Sequence, residues 1–172
     1  MIDNYINTKK SKHSLMARIF HWGFVLLFAY GLIKQVQDLN QLEEVSLLRF
    51  EVFFAILFVL LLFIRFVYMK KTQKSFLPKS TPKIQKFAAK TVHYAMYITL
   101  AIIPLTGLVI GFLYWIGLKS SFIMDGIISI HETSVLVMYW LIAIHISAAI
   151  FHRFRRDGVW SSMVPLFKEK IK

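Results

Sequence analysis

Six histidines occur in this chain, and five of them, His21, His93, His131, His145 and His152, fall inside or at the edge of long apolar runs. Ionisable side chains in such runs are rare and mark cofactor or ion pathways. A neutral imidazole binds a haem iron without adding charge, which suits a site buried in apolar surroundings. His131, His145 and His152 are separated by 14 and 7 residues. At 100° per residue of helix these spacings return all three to within about 60° of one another, on one face. At ~1.5 Å rise per residue, His131 and His145 lie about 21 Å apart along the axis, so one helix carries an imidazole toward each end. That is the spacing of two stacked haems with an electron path between them. A plain polar stripe facing a bundle interior explains the shared face, but not why histidine recurs where serine or threonine would serve.

The elements that position these residues are membrane spans. Of the 172 residues 57% are hydrophobic, above the ~45–50% of a soluble protein, yet 21 Lys and Arg against 9 Asp and Glu give a net charge of +12. Oily stretches joined by basic connections fit an integral membrane protein. Runs of about 20 apolar residues, enough to cross a ~30 Å hydrocarbon core as helix, occur at about 15–33, 46–68, 87–115 and 127–152. The fold class is therefore all-α, an integral membrane four-helix bundle running up-down-up-down. Residues 1–14 form a short polar tail with no cleavable signal, 15–152 the four-span domain, and 153–172 a basic tail. The regions up to Arg18, from Arg65 to Lys90 and after His152 hold 18 basic and 3 acidic residues, against 3 and 6 on the opposite side. Because lysine and arginine collect in cytoplasmic segments, both termini are expected in the cytoplasm and the chain in a bacterial inner membrane. The same distribution excludes nucleic acid as a partner, since a basic binding face on a soluble scaffold is missing. With no cysteine in the chain, iron–sulfur clusters held by cysteine, thiolate nucleophiles and covalent c-type haem are excluded.

An axial ligand needs a partner at its own depth. His145 is about seven residues from the cytoplasmic end of its span, and His21 and His93 lie at comparable depths in the first and third spans. Either completes a bis-histidine iron site, and depth does not choose between them. At the opposite side His131 faces Arg49, Phe50 and Glu51 at the entry to the second span, none of them a usual haem ligand. Arg49, Glu51, His131 and Glu132 read there as an ion-paired interfacial cluster. Pro104 is expected to kink the third span, Gly107 and Gly111 to allow close helix approach, and Tyr68, Tyr114 and Trp115 to anchor at the interfaces. The link carrying Pro78 and Pro82 reads as an extended basic loop, and the segment from Gly158 onward as an amphipathic stretch along the inner surface.

Taken together, Ile19-Phe20-His21-Trp22 opening the first span, Arg65 closing the second, His93, Tyr97, Pro104 and Gly107 in the third, and Ile130-His131-Glu132 followed by His145 in the fourth resemble the bacterial cytochrome b561 family. The resemblance covers nearly the whole chain. It implies a b-type haem held at the inner side by His21 and His145. In the family an outer haem is held by the histidine matching His131 and by a second-span histidine. That second position falls at about Phe50, where this chain has none, so the carry-over is one inner haem b, with His131 left to an outer haem that lacks its second ligand. The family also implies electron transfer between membrane quinone, ubiquinone or menaquinone, and a redox partner in a respiratory chain. His93 and His152, near the inner haem and unassigned as ligands, are candidates to hydrogen-bond a quinone. Some members resemble superoxide oxidases, but the net acidic outer side opposes attraction of that anion. A non-redox membrane anchor that only keeps the fold is the third reading. The expected partners are lipid, quinone and a redox protein, with a homo-oligomer left open.

Overall fold

The computed structural model describes residues 13–36, 38–72, 77 and 80–169. Four long helices dominate: α1 (Leu15–Lys34), α2 (Val45–Thr72), α3 (Lys83–Trp115) and α4 (Phe122–Arg155), followed by a short α5 (Val159–Met163). All four are long and apolar enough to cross a membrane, so the chain is a multi-pass membrane protein with no strand among the described residues. The orientation of the bundle in the membrane is a separate matter. Its two ends are called proximal, where α1 begins and α4 ends, and distal, where α1 passes to α2 and α3 to α4.

Each helix starts and stops on a local signal. The Ser14 hydroxyl accepts from Ala17 N–H at 3.1 Å to open α1, and Ser121 does the same for Met124 at 3.2 Å to open α4; both satisfy one of the N–H groups orphaned at a helix start. α3 begins directly after Pro82 and ends at Gly117, which has φ +84°. There the Gly117 N–H donates to Tyr114 O and the Leu118 N–H to Leu113 O, the paired bonds of a Schellman stop that favours glycine in the left-handed region. The distal α1–α2 connection is a 3-10 turn, Leu39–Glu43, capped by Asp38. Basic side chains occupy the last turns of α1, α2 and α4, where they complement the negative end of the helix dipole.

α3 sits at the centre of the packing, against both α2 and α4, while α1 is held chiefly by α2 and its backbone hardly approaches α4. Close approach is built with glycine. A Cβ on Gly111 would come within 3.3 Å of Val52 Cγ2, and one on Gly31 within 3.1 Å of Phe54 Cε1. At Gly107 the approach is looser, an added Cβ meeting His131 Cε1 of α4 at 3.8 Å, an ordinary contact.

Two apolar clusters divide the interior along the membrane normal. Phe24, Phe58, Leu62, Leu100 and Met138 form a septum across the middle. Leu42, Leu113, Tyr114 and Met124 form a distal plug. Tyr114 therefore departs from its expected role as an interface anchor: it is 7% exposed, with the Lys119 ammonium 4.4 Å above its ring and Lys119 tied to Glu43 at 3.2 Å. Trp115, 74% exposed, keeps the anchoring position. At the proximal end, the chain after α4 turns through Arg156 and Gly158, both at positive φ, and folds back on the bundle. Trp22 Nε1 donates to Met163 O at 3.1 Å, and the Arg153 guanidinium lies over the Trp160 and Phe167 rings. Residues 1–12, Pro78 and 170–172, parts of the expected tails and basic loop, lie outside the described residues.

Candidate functional site

All four helices deliver a side chain to one point proximal to the septum: His21 from α1, Arg65 from α2, His93 from α3 and His145 from α4. The rings of His21 and His145 have centroids 6.2 Å apart at an interplanar angle of 53°. The His93 ring stands edge-on to His145, with centroids 5.2 Å apart at 87°. Sequence depth left these two partners equal, and their ring separations from His145 differ by about 1 Å. A metal–imidazole bond is about 2.0–2.1 Å; two such bonds in line, plus ~1.1 Å from each nitrogen to its ring centre, place centroids about 6.3 Å apart. His21 and His145 match that separation, and His93 is too near His145 for it. The residues therefore fit a haem. Among the described residues no three or more His, Asp or Glu gather into a metal cage, and a haem iron asks the protein for only two ligands.

Hydrogen bonds set the state of each ring. His93 Nδ1 is 2.6 Å from Ala89 O; a carbonyl only accepts, so Nδ1 carries the proton and Nε2 keeps its lone pair. Arg65 Nη2 lies 3.3 Å from His21 Nδ1. Guanidinium only donates, so here Nδ1 accepts. Arg65 is steadied between two rings, 5.1 Å from the Phe24 centroid and 5.4 Å from that of Tyr97, and its Nε has no hydrogen-bond partner. When an imidazole binds iron through Nε2 its proton moves to Nδ1. Haem ligation by His21 thus requires Arg65 to release this nitrogen.

His152 lies further toward the proximal end and pairs with Asp157, Nδ1 to Oδ2 at 2.7 Å. The pair locks the end of α4 to the turn before α5. The sequence offered a signal for this, an aspartate five residues on across a helix end, that reading the histidines alone passed over.

The distal histidine stands apart from the other four. His131 Nδ1 is 2.9 Å from Thr106 Oγ1, and that hydroxyl also lies 2.8 Å from Ile102 O and 2.9 Å from Ile103 O. The single hydroxyl proton goes to a carbonyl, so Oγ1 accepts from His131 Nδ1–H and Nε2 retains its lone pair. Thr106 is a contributor that sequence reasoning missed; a threonine bonding its own helix backbone has no distinguishing sequence pattern. Nor do the four polar residues at this end form the expected ion-paired cluster. Among the described residues no ion pair joins Arg49, Glu51, His131 and Glu132. Glu51, His131 and Glu132 instead line a cavity of about 450 Å³ that reaches from the distal turn down to Phe58 and Leu100 of the septum.

No curated protein and no solved structure matches this chain. The family model described as prokaryotic cytochrome b561 matches residues 12–166, a span that takes in all four helices and all five membrane histidines. The chain belongs to the prokaryotic cytochrome b561 family, membrane-embedded b-type cytochromes of electron transfer.

Proposed function

We propose that the protein moves electrons between the quinone pool and a redox partner through one haem b held by His21 and His145. The 6.2 Å separation of these two rings, from helices whose backbones stand apart, is the observation that carries the reading. When bound, the haem supplies a one-electron couple. The residues of the chain do the rest. The two imidazoles would hold the group, while Phe24, Leu62 and Met138 of the septum close the site to water from the distal side. Burial of this kind, together with the second-shell partners of the ligands, sets a haem potential. Arg65, held between the Phe24 and Tyr97 rings, would place a positive charge beside a haem bound there.

On the quinone side, His93 is the better placed of the two histidines. It is exposed, with Nε2 uncommitted beside His145, whereas His152 is held by Asp157. The 18-to-3 charge asymmetry supports an orientation with both termini in the cytoplasm, as in a bacterial inner membrane. Superoxide, an anion, would meet Asp38, Glu51 and Glu132 at the distal cavity, so charge weighs against the superoxide oxidase reading.

The test is reduction by quinol. The full chain, loaded with haem in lipid nanodiscs, should show growth of the reduced b-type band when a short-tailed quinol is added without oxygen. If dithionite reduces the haem but neither a benzoquinol nor a naphthoquinol does, the quinone link is wrong while the cytochrome stands.

A further inference from the structure

The distal cavity lies apart from the proximal histidines, with His131 its one histidine among the described lining residues. Its volume, about 450 Å³, lies in the roughly 300–1,000 Å³ range of small-molecule sites. Its walls are mostly aliphatic and aromatic, and its polar groups are Gln35, Asp38, Glu51, His131, Glu132 and Tyr139. Two features of that polar set restrict what it can hold. Among the described lining residues there are three carboxyl groups and no lysine or arginine, so an anionic guest is repelled; a second haem would set its two propionates against these carboxyls. His131 is also the only lining side chain with a nitrogen or sulfur ligand of the usual haem kinds, so no opposing axial ligand exists.

The mostly apolar walls favour a neutral, hydrophobic guest, and the hydrogen-bonding sense selects its form. His131 offers Nε2 as an acceptor because Thr106 takes the proton on Nδ1. Glu51 and Glu132 add carboxyl oxygens that accept, Asp38 Oδ1 is already engaged by the Asn40 N–H at 2.9 Å, and Gln35 and Tyr139 bring donors. A quinol has two hydroxyl donors, while a quinone ring presents only acceptors.

We propose that this cavity is a binding site for the reduced, quinol form of a membrane quinone, with His131 Nε2 and Glu51 accepting from its hydroxyls. The inference rests on the quinone-linked reading above and adds to it a second location, about 21 Å along α4 from His145, and a preference between redox forms. A site built to hydrogen-bond a hydroxyl discriminates strongly against an analogue that lacks it, because its acceptors are left unpaired.

The experiment uses the full chain in nanodiscs, with a short-tailed benzoquinol and a short-tailed naphthoquinol and the oxidised form of each as probes. Equilibrium binding and photo-crosslinking by an azido derivative are read together with the haem spectrum of the same preparation. Quinol should bind at least about tenfold more tightly than quinone, an effect of one well-made hydrogen bond or more, and crosslinks should map to the distal halves of α2 and α4. His131→Leu should remove most of that preference. Gly107→Leu, at a position with nothing nearer than 3.8 Å to an added Cβ, should fill the cavity and abolish binding of both forms while the haem band persists. Equal affinity for the two redox forms, or binding unchanged in both variants, would overturn the proposal. So would loss of a second haem in His131→Leu, which would make the cavity a haem site. Failure of the redox reading looks different: the wild-type preparation would then carry no haem at all.

Discussion

His145→Ala should yield a folded four-helix protein that binds essentially no haem. The substitution removes the one imidazole that faces both His21 and His93, so neither arrangement of the proximal site survives it. Loss of a partner that merely orients a metal ligand costs about 10–100-fold in affinity, and loss of the ligand itself should cost at least about a hundredfold. The fold should tolerate the change. His145 lies outside the septum, whose buried members are Phe24, Phe58, Leu62, Leu100 and Met138, and alanine is the best helix former. Far-ultraviolet circular dichroism should therefore keep its helical signal while the b-type absorption disappears. Retention of a full haem complement by this variant would remove His145 from the site.

The second large effect separates the two partners of His145. His21→Ala should lose haem as completely as His145→Ala, and His93→Ala should retain it with at most a small change in the spectrum. This contrast is demanding because the ring states point in different directions. His93, with its Nδ1 proton held by Ala89 O at 2.6 Å, has the backbone-oriented form common among metal-ligating histidines. His21, accepting from Arg65, does not have it until Arg65 moves. The ring separations favour His21 as the partner: 6.2 Å to His145 is near the span of two metal–imidazole bonds, and the 5.2 Å between His93 and His145 is about 1 Å short of it. Arg65, once released, has an unpartnered Nε as well. Haem loss in His93→Ala with retention in His21→Ala would reverse the assignment.

Much of this site was legible in the sequence because histidine in a lipid-spanning helix is so seldom incidental. The 14-residue spacing of His131 and His145 alone puts one imidazole toward each end of the last span. The four spans were legible for the same reason, yet their ends were not. α3 begins at Lys83 rather than near Phe87, and α4 at Phe122 rather than near Ile127. A hydropathy run stops where charges begin, whereas lysine side chains extend toward water from a helix that continues. Pro82 and Ser121, at the true starts, carry the better signal. The distal end was the least legible. Arg49, Glu51, His131 and Glu132 looked like an ion-paired cluster from composition alone, but carboxyls from α2 and α4 turn toward a shared cavity, and a cavity has no sequence pattern. Tyr114 was misplaced because aromatic residues at helix ends read alike whether they face headgroups or, as here, a plug formed by a 3-10 turn.

The central claim is one haem on one pair of histidines, and a reduced-minus-oxidised spectrum of the purified wild-type chain with a measured haem-to-protein ratio tests it most directly. A low-spin b-type difference spectrum with a ratio near one is the expected result. A ratio near two would mean that the distal cavity holds a haem on His131, and the absence of b-type bands would mean that the proximal histidines only pack.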